Sequence, residues 1–265
     1  MSTHGTGFTQ AFRTLTILPA PGKDAAKASS QLFFYPAVGL VIGAIGSLIP
    51  WIYLRFCNMN VISGIVLGVL WTCWMAFVTR AFHLDGLGDT ADGFGGGWTK
   101  ERRLEIMKDS RSGSFGVAAI CLCLLLKSAC AASAVISGSL PVLIWSAVSA
   151  RFCVVCMCSF CSYAKNIGLS YDLVSGAGAG HAVVALMQTA AFGAGLYFLP
   201  LLTGTARIGI LSLAVPFAAS LCAMLVLSLV SRRKIGGITG DVLGACCEIC
   251  EVAALLAAVF IPSVM

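Results

Sequence analysis

The chain has little charge, little histidine and no polar linker. Only 11% of its 265 residues are Asp, Glu, Lys or Arg, against 58% hydrophobic residues, and mean hydropathy is +0.94. So few charges cannot cover a soluble domain, and no soluble nucleic-acid module is present despite a net charge of +6. Of the three histidines, none lies near the run Cys153, Cys156, Cys158 and Cys161. Without such partners the run reads as small hydrophobes inside an apolar helix rather than as a metal or cluster site, as do Cys121, Cys123, Cys246, Cys247 and Cys250. The first segment is expected to be a poor signal peptide. The segment through Phe8 and Leu18 carries Arg13 and lacks a long apolar core and a small-residue cleavage site. It is expected to be an amphipathic or re-entrant lead-in, broken by Pro19 and Pro21. Nothing divides the sequence, so residues 1–265 are expected to form one integral-membrane domain.

What is present in quantity is apolar helix. Runs long enough to cross a bilayer fall near 32–54, 61–82, 115–136, 142–161, 182–202, 208–230 and 242–261, an all-α bundle of six to seven membrane-spanning helices. With seven spans, one side receives Arg13, Lys23, Lys27, the basic residues from Arg80 to Arg111, Lys165, Arg232, Arg233 and Lys234. The other receives only Arg55 and Arg207. The positive-inside rule makes the first side cytoplasmic in a multi-pass protein, with membrane lipid around it.

The longest polar connection on that side begins His83-Leu-Asp-Gly-Leu-Gly-Asp-Thr-Ala-Asp-Gly-Phe-Gly-Gly-Gly97, three aspartates among six glycines. Spacings of four and three residues bring Asp85, Asp89 and Asp92 to one helical face. Three carboxylates there repel one another unless a cation sits between them, and hard oxygen ligands suit Mg²⁺ or Mn²⁺. Each glycine weakens a helix by about 1 kcal/mol, a cost that makes sense where backbone packs closely or meets a ligand. The segment 98–111 reads as an amphipathic helix started by Thr99 or Asp92 and ended by Gly113, with 93–97 as a hinge. Its Lys108, Arg111 and one of Arg102 or Arg103 are candidate clamps for a phosphate group. Asp109 is the candidate to complete a metal shell or to take a proton as the catalytic base. Asp241 is a further substrate or metal contact, and His83 is a candidate phosphate contact. Lys127, Arg151, Glu248 and Glu251 fall inside spans, where they either line a polar cavity or pair with one another. The segments 81–114, 162–181 and 232–241 are expected to converge on one mouth.

Three blocks then carry a resemblance. The acidic block, Leu104-Glu-Ile-Met-Lys-Asp-Ser-Arg-Ser-Gly-Ser-Phe-Gly116 and Gly237-Ile-Thr-Gly-Asp-Val-Leu-Gly-Ala245 together resemble the cobalamin synthase family, in order and over nearly the whole length. The resemblance implies a magnesium-dependent inner-membrane enzyme of vitamin B12 assembly. It would join adenosylcobinamide-GDP to α-ribazole or α-ribazole 5′-phosphate and release GMP, with self-association into a homo-oligomer left open. More distantly, Asp89-Thr-Ala-Asp-Gly93 is similar to the opening of the CDP-alcohol phosphotransferase motif. It departs from that motif where Gly96 and Gly97 replace Ala-Arg, where Asp109 falls one residue off the later aspartate, and where Gly113 replaces a fourth. A lipid-type CDP-alcohol phosphotransferase is therefore one competing reading, and a cation transporter with Gly-broken helices is the other.

Overall fold

The computed structural model describes residues 3–261 apart from 166, 167, 169 and 204–208. Helix α1 (Thr3–Leu15) buries Ala11, Phe12 and Leu15 and is followed by a 3-10 turn, Ala28–Phe34, that runs directly into α2 (Tyr35–Phe56). Then come α3 (Val61–Val78), α4 (Phe82–Gly96), α5 (Lys100–Ile106), α6 (Ser114–Ile136), α7 (Leu140–Phe160), α8 (Tyr171–Ser175), α9 (Ala179–Thr203), α10 (Leu211–Ile235) and α11 (Gly240–Val259). The only β pairing among the described residues is the bridge between Tyr163 and Ile238.

Seven of these helices are long and apolar enough to span a membrane: the 28–56 stretch, α3, α6, α7, α9, α10 and α11. The protein is an all-α polytopic membrane bundle. Its axis is α7, whose apolar window is 94% buried, whereas those of α9 and α10 are only 28% buried and leave most of their surface to lipid. A helix apolar all round belongs in the middle of a bundle, and α7 packs against α2, α9, α10 and α11. Its Cys153, Cys156 and Cys158 are buried free thiols serving as small core residues.

Two span boundaries differ from expectation. The second span stops at Val78 because Arg80 and Ala81 adopt left-handed backbone (φ 55° and 54°), turning the chain sharply into α4. The sixth continues through Arg232–Lys234 to Ile235, where Gly236 (φ 78°) ends it. Arg207, placed on the sparsely charged side, lies outside the described residues.

The buried charges pair with one another. Lys127 on α6 donates to Glu248 at 2.5 Å and to Glu251 at 2.6 Å, and Arg151 on α7 bonds the other oxygen of Glu251. Two cations and two carboxylates cancel in the middle of the bundle, locking α6, α7 and α11 together.

Candidate active site

α4 is a short helix sunk between α6 and α11, and its glycines are the reason it fits. A Cβ on Gly86 would lie 2.7 Å from the main-chain oxygen of Asp241, and one on Gly244 would lie 3.3 Å from the backbone of His83. The two helices therefore touch backbone to backbone, which puts Asp241 alongside Asp85 and Asp89. Asp85 is exposed, Asp89 half-buried and Asp92 buried. Burial, then the charges of Asp85, Asp241 and Asp92, raise the Asp89 pKa to about 6.

Asp92 performs a second task. Its Oδ2 accepts the Gly113 N–H at 2.7 Å and its Oδ1 the Gly116 N–H at 2.8 Å. Gly113 is the N-cap of α6 and has no side chain with which to cap it, so the carboxylate of α4 closes that helix terminus from outside. The cap expected from Asp92 thus belongs to α6. That of α5 comes from Thr99, whose Oγ1 accepts the Arg102 N–H at 3.2 Å. α5 is shorter than the expected 98–111 helix: Met107 is buried under Gly93, Trp98 is exposed, and Lys108 and Asp109 lie in the turn beyond. The hinge shrinks accordingly, since α4 runs to Gly96.

The three basic segments do meet. Lys234 donates to the carbonyl of Phe94 at 2.6 Å, and Arg103 donates to the carbonyls of Gly97 and Lys234, both at 2.9 Å. The 236–238 connector pairs with 162–164 through Ala164 N–H to Ile238 O (2.8 Å) and Ile238 N–H to Ser162 O (2.9 Å). This clip brings Tyr163 and Lys165 to Asp241. Burial and the nearby Lys108 lower the Lys165 pKa, with Asp241 opposing; burial and Asp241 raise that of Tyr163. The glycine-rich stretch 175–180 is split between the end of α8 and the start of α9, with Gly176 packed on Ser29.

The sequence-predicted residues therefore sort by position. Asp85, Asp89, Asp92 and Asp241 form one acidic cluster, and Lys108 lies within electrostatic reach of Lys165 at its edge. Arg102, Asp109 and Arg111 line a cavity of about 560 Å³ that reaches Asp92 and Gly113. Arg102 pairs with Glu105, and Arg111 grips Asp109 with two side-chain bonds of 3.0 and 2.7 Å, holding that carboxyl well below its usual range. Arg103 is occupied in stapling α5 to the end of α10. His83 is buried; burial, then Arg151, lower its pKa to about 3, so the ring is neutral, and its Nδ1 has no partner among the described residues. Lys165 was missed as a site residue: the sequence offers only a basic residue after a span, and its approach to Asp241 depends on the clip.

The cobalamin-5-phosphate synthase family profile matches residues 7–259. An adenosylcobinamide-GDP ribazoletransferase of Prosthecochloris aestuarii is 39% identical over 250 residues, covering 92% of this chain and 94% of that protein. One of Chlorobium chlorochromatii is 40% identical over 255 residues, covering 93% of each chain, and one of Chlorobaculum tepidum is 40% identical over 257, covering 96% of each. No solved structure matches. The match runs from the first helix to the end of the last span and takes in every residue of the acidic cluster, so the chain belongs to the cobalamin-5-phosphate synthase family.

Proposed function

We propose that the protein transfers the phosphocobinamide group of adenosylcobinamide-GDP to α-ribazole or α-ribazole 5′-phosphate, giving the cobalamin or its 5′-phosphate and GMP. It would do so at the cytoplasmic face of a cell inner membrane. The observation that carries this reading is the mouth itself, in a chain whose relatives are ribazoletransferases. Four aspartates from α4 and α11 crowd together, with Lys165 at one edge, Lys108 near Lys165, and Arg111 lining the cavity on the Asp92 side. A diphosphate needs both signs of charge in this arrangement. Magnesium fits the donor set, since the ligands are hard carboxylate oxygens whose crowding already raises Asp89. Among the described residues no three His, Cys, Asp or Glu side chains are placed to hold a metal ion by themselves, so a bound ion would have to take further oxygens from water and substrate. Asp85 and Asp89 would hold it, with Asp92 behind them offering the lone pairs its two N–H bonds leave free. When bound, the ion would polarise the diphosphate and neutralise charge developing on GMP.

The chain's own residues would then act as follows. Lys108 and Lys165 hold the diphosphate at the edge of the cluster, and Arg111 binds it from the side of Gly113. The ribazole hydroxyl oxygen bonds to the phosphorus bearing the cobinamide arm, the bond from that phosphorus to the GMP oxygen breaks, and GMP departs. Asp109 is the acceptor for the hydroxyl proton once its pair with Arg111 opens. An incoming diphosphate competes for that guanidinium and so opens it.

Purified protein in detergent, given adenosylcobinamide-GDP, α-ribazole and Mg²⁺, should form GMP and cobalamin in equal amounts and stop on chelation. Folded protein inert on this pair but active on a CDP-alcohol would overturn the assignment.

A further inference from the structure

A second cavity, of about 360 Å³, opens between the ends of α7 and α10 and the 236–238 connector. Phe160, Met224, Leu225 and Leu229 give it apolar walls, and Ser228 and Arg232 lie at its polar end. Phe160, Leu225 and Leu229 are 68%, 55% and 54% exposed, on helices that span the membrane, so the cavity opens toward lipid rather than into the bundle. Leu225, Ser228, Leu229 and Arg232 follow three- and four-residue spacing along one face of α10, so an apolar channel ends at a guanidinium. Arg232 is exposed, and no described carboxylate pairs with it. Neighbouring Arg233 is exposed, and no described carboxylate pairs with it either.

We infer that this cavity is a binding site for one anionic phospholipid, with an acyl chain between α7 and α10 and the phosphate on Arg232. The fit has two parts. The apolar walls exclude a free phosphate as the sole ligand, because they contribute nothing to it. The unpaired arginines favour a lipid of net negative charge over a zwitterionic one, whose ammonium group opposes them. Gly236 and Gly237 form the connector wall of the cavity, and the same connector is clipped to 162–164 and leads directly to Asp241. A bound lipid would brace the clip that sets the candidate site. The inference stands whichever reaction the mouth performs.

The test is retention of phosphatidylglycerol against phosphatidylcholine on the purified protein, read by native mass spectrometry. Parallel photo-crosslinking would use a diazirine on the acyl chain of each lipid. One phosphatidylglycerol should be retained about fivefold better, the effect of one basic residue at a membrane surface, with crosslinks centred on Met224, Leu225 and Leu229. Arg232→Gln should erase the preference, and Leu229→Trp, which fills the channel from an exposed position, should erase the crosslinks while the protein stays folded. Excess inorganic phosphate should not displace the lipid. Equal retention of the two lipids, an unchanged preference in Arg232→Gln, crosslinks spread over α3 and α9, or displacement by phosphate would each overturn the proposal.

Discussion

Asp89→Asn removes one charge from a crowd of four and should make the metal-free protein more stable. The fold raises the Asp89 pKa from an ordinary 3.8 to about 6 through burial and the charges of Asp85, Asp241 and Asp92. A raised carboxylate pKa means that the folded state disfavours the ionised form. The penalty is absent below pH 4, where the group is protonated folded or unfolded, grows between pH 4 and 6, and is complete above pH 6. At about 1.4 kcal/mol per pKa unit the ceiling is ~3 kcal/mol. Asp89 is only half-buried, and solvent screening reduces the effect to about 1 kcal/mol. In detergent with chelator, Asp89→Asn should therefore unfold at higher temperature than wild type at pH 7.5, and at nearly the same temperature at pH 4. Saturating Mg²⁺ should reverse the order at pH 7.5, because only the wild type gains a full ligand, and turnover should be lost in the variant. A variant less stable than wild type in chelator at pH 7.5, or a gap that ignores pH, would refute the crowding argument.

Glu251→Gln removes the carboxylate shared by Lys127 and Arg151 and should destabilise by about 3–5 kcal/mol in a detergent denaturation series, because both cations stay buried. Asp92→Ala strips both acceptors from the start of α6 and should cost about 1–2 kcal/mol together with turnover. Hydrogen exchange at Gly113 and Gly116 would report the opened terminus, and unchanged protection there would refute the capping role. Gly86→Ala forces α4 away from α11 and should lower stability by about 1–3 kcal/mol, read from the unfolding midpoint. A single cysteine placed between Lys100 and Arg111 on a background without reactive native thiols should label from the cytoplasm; labelling only from the periplasm would invert the topology.

The spans and the acidic face were legible because each rests on a local period: twenty apolar residues in a row, or carboxylates spaced by four and three. What the sequence hid depends on contacts between segments. Nothing in Thr79-Arg80-Ala81 announces a left-handed turn, which arises because α4 must descend between α6 and α11. Asp92 sits in register with Asp85 and Asp89, yet its partners are amides more than twenty residues away. The one local hint is that α6 begins at a glycine, a cap with no side chain. Arg103 looks like any other arginine on a basic helix, and only the fold shows it bound to carbonyls at Gly97 and Lys234. For Lys127, Arg151, Glu248 and Glu251 the sequence left cavity lining and pairing equally open. Four charges of balanced sign, brought together by three helices, became a pairing network.

The backbone contact between Gly86 and Asp241 also limits what the mouth can admit. Where Gly86 meets Asp241 and Gly244 meets His83, backbone lies against backbone, so the spacing between Asp85 or Asp89 and Asp241 has little room to change. On the proposed reaction, a corrinoid ring would not be admitted by spreading these helices. It would stay outside this gap, with only its slender phosphate arm reaching the aspartates. The enzyme would then recognise its largest substrate by the narrowest part of it, and much of the ring would stay outside the protein throughout turnover.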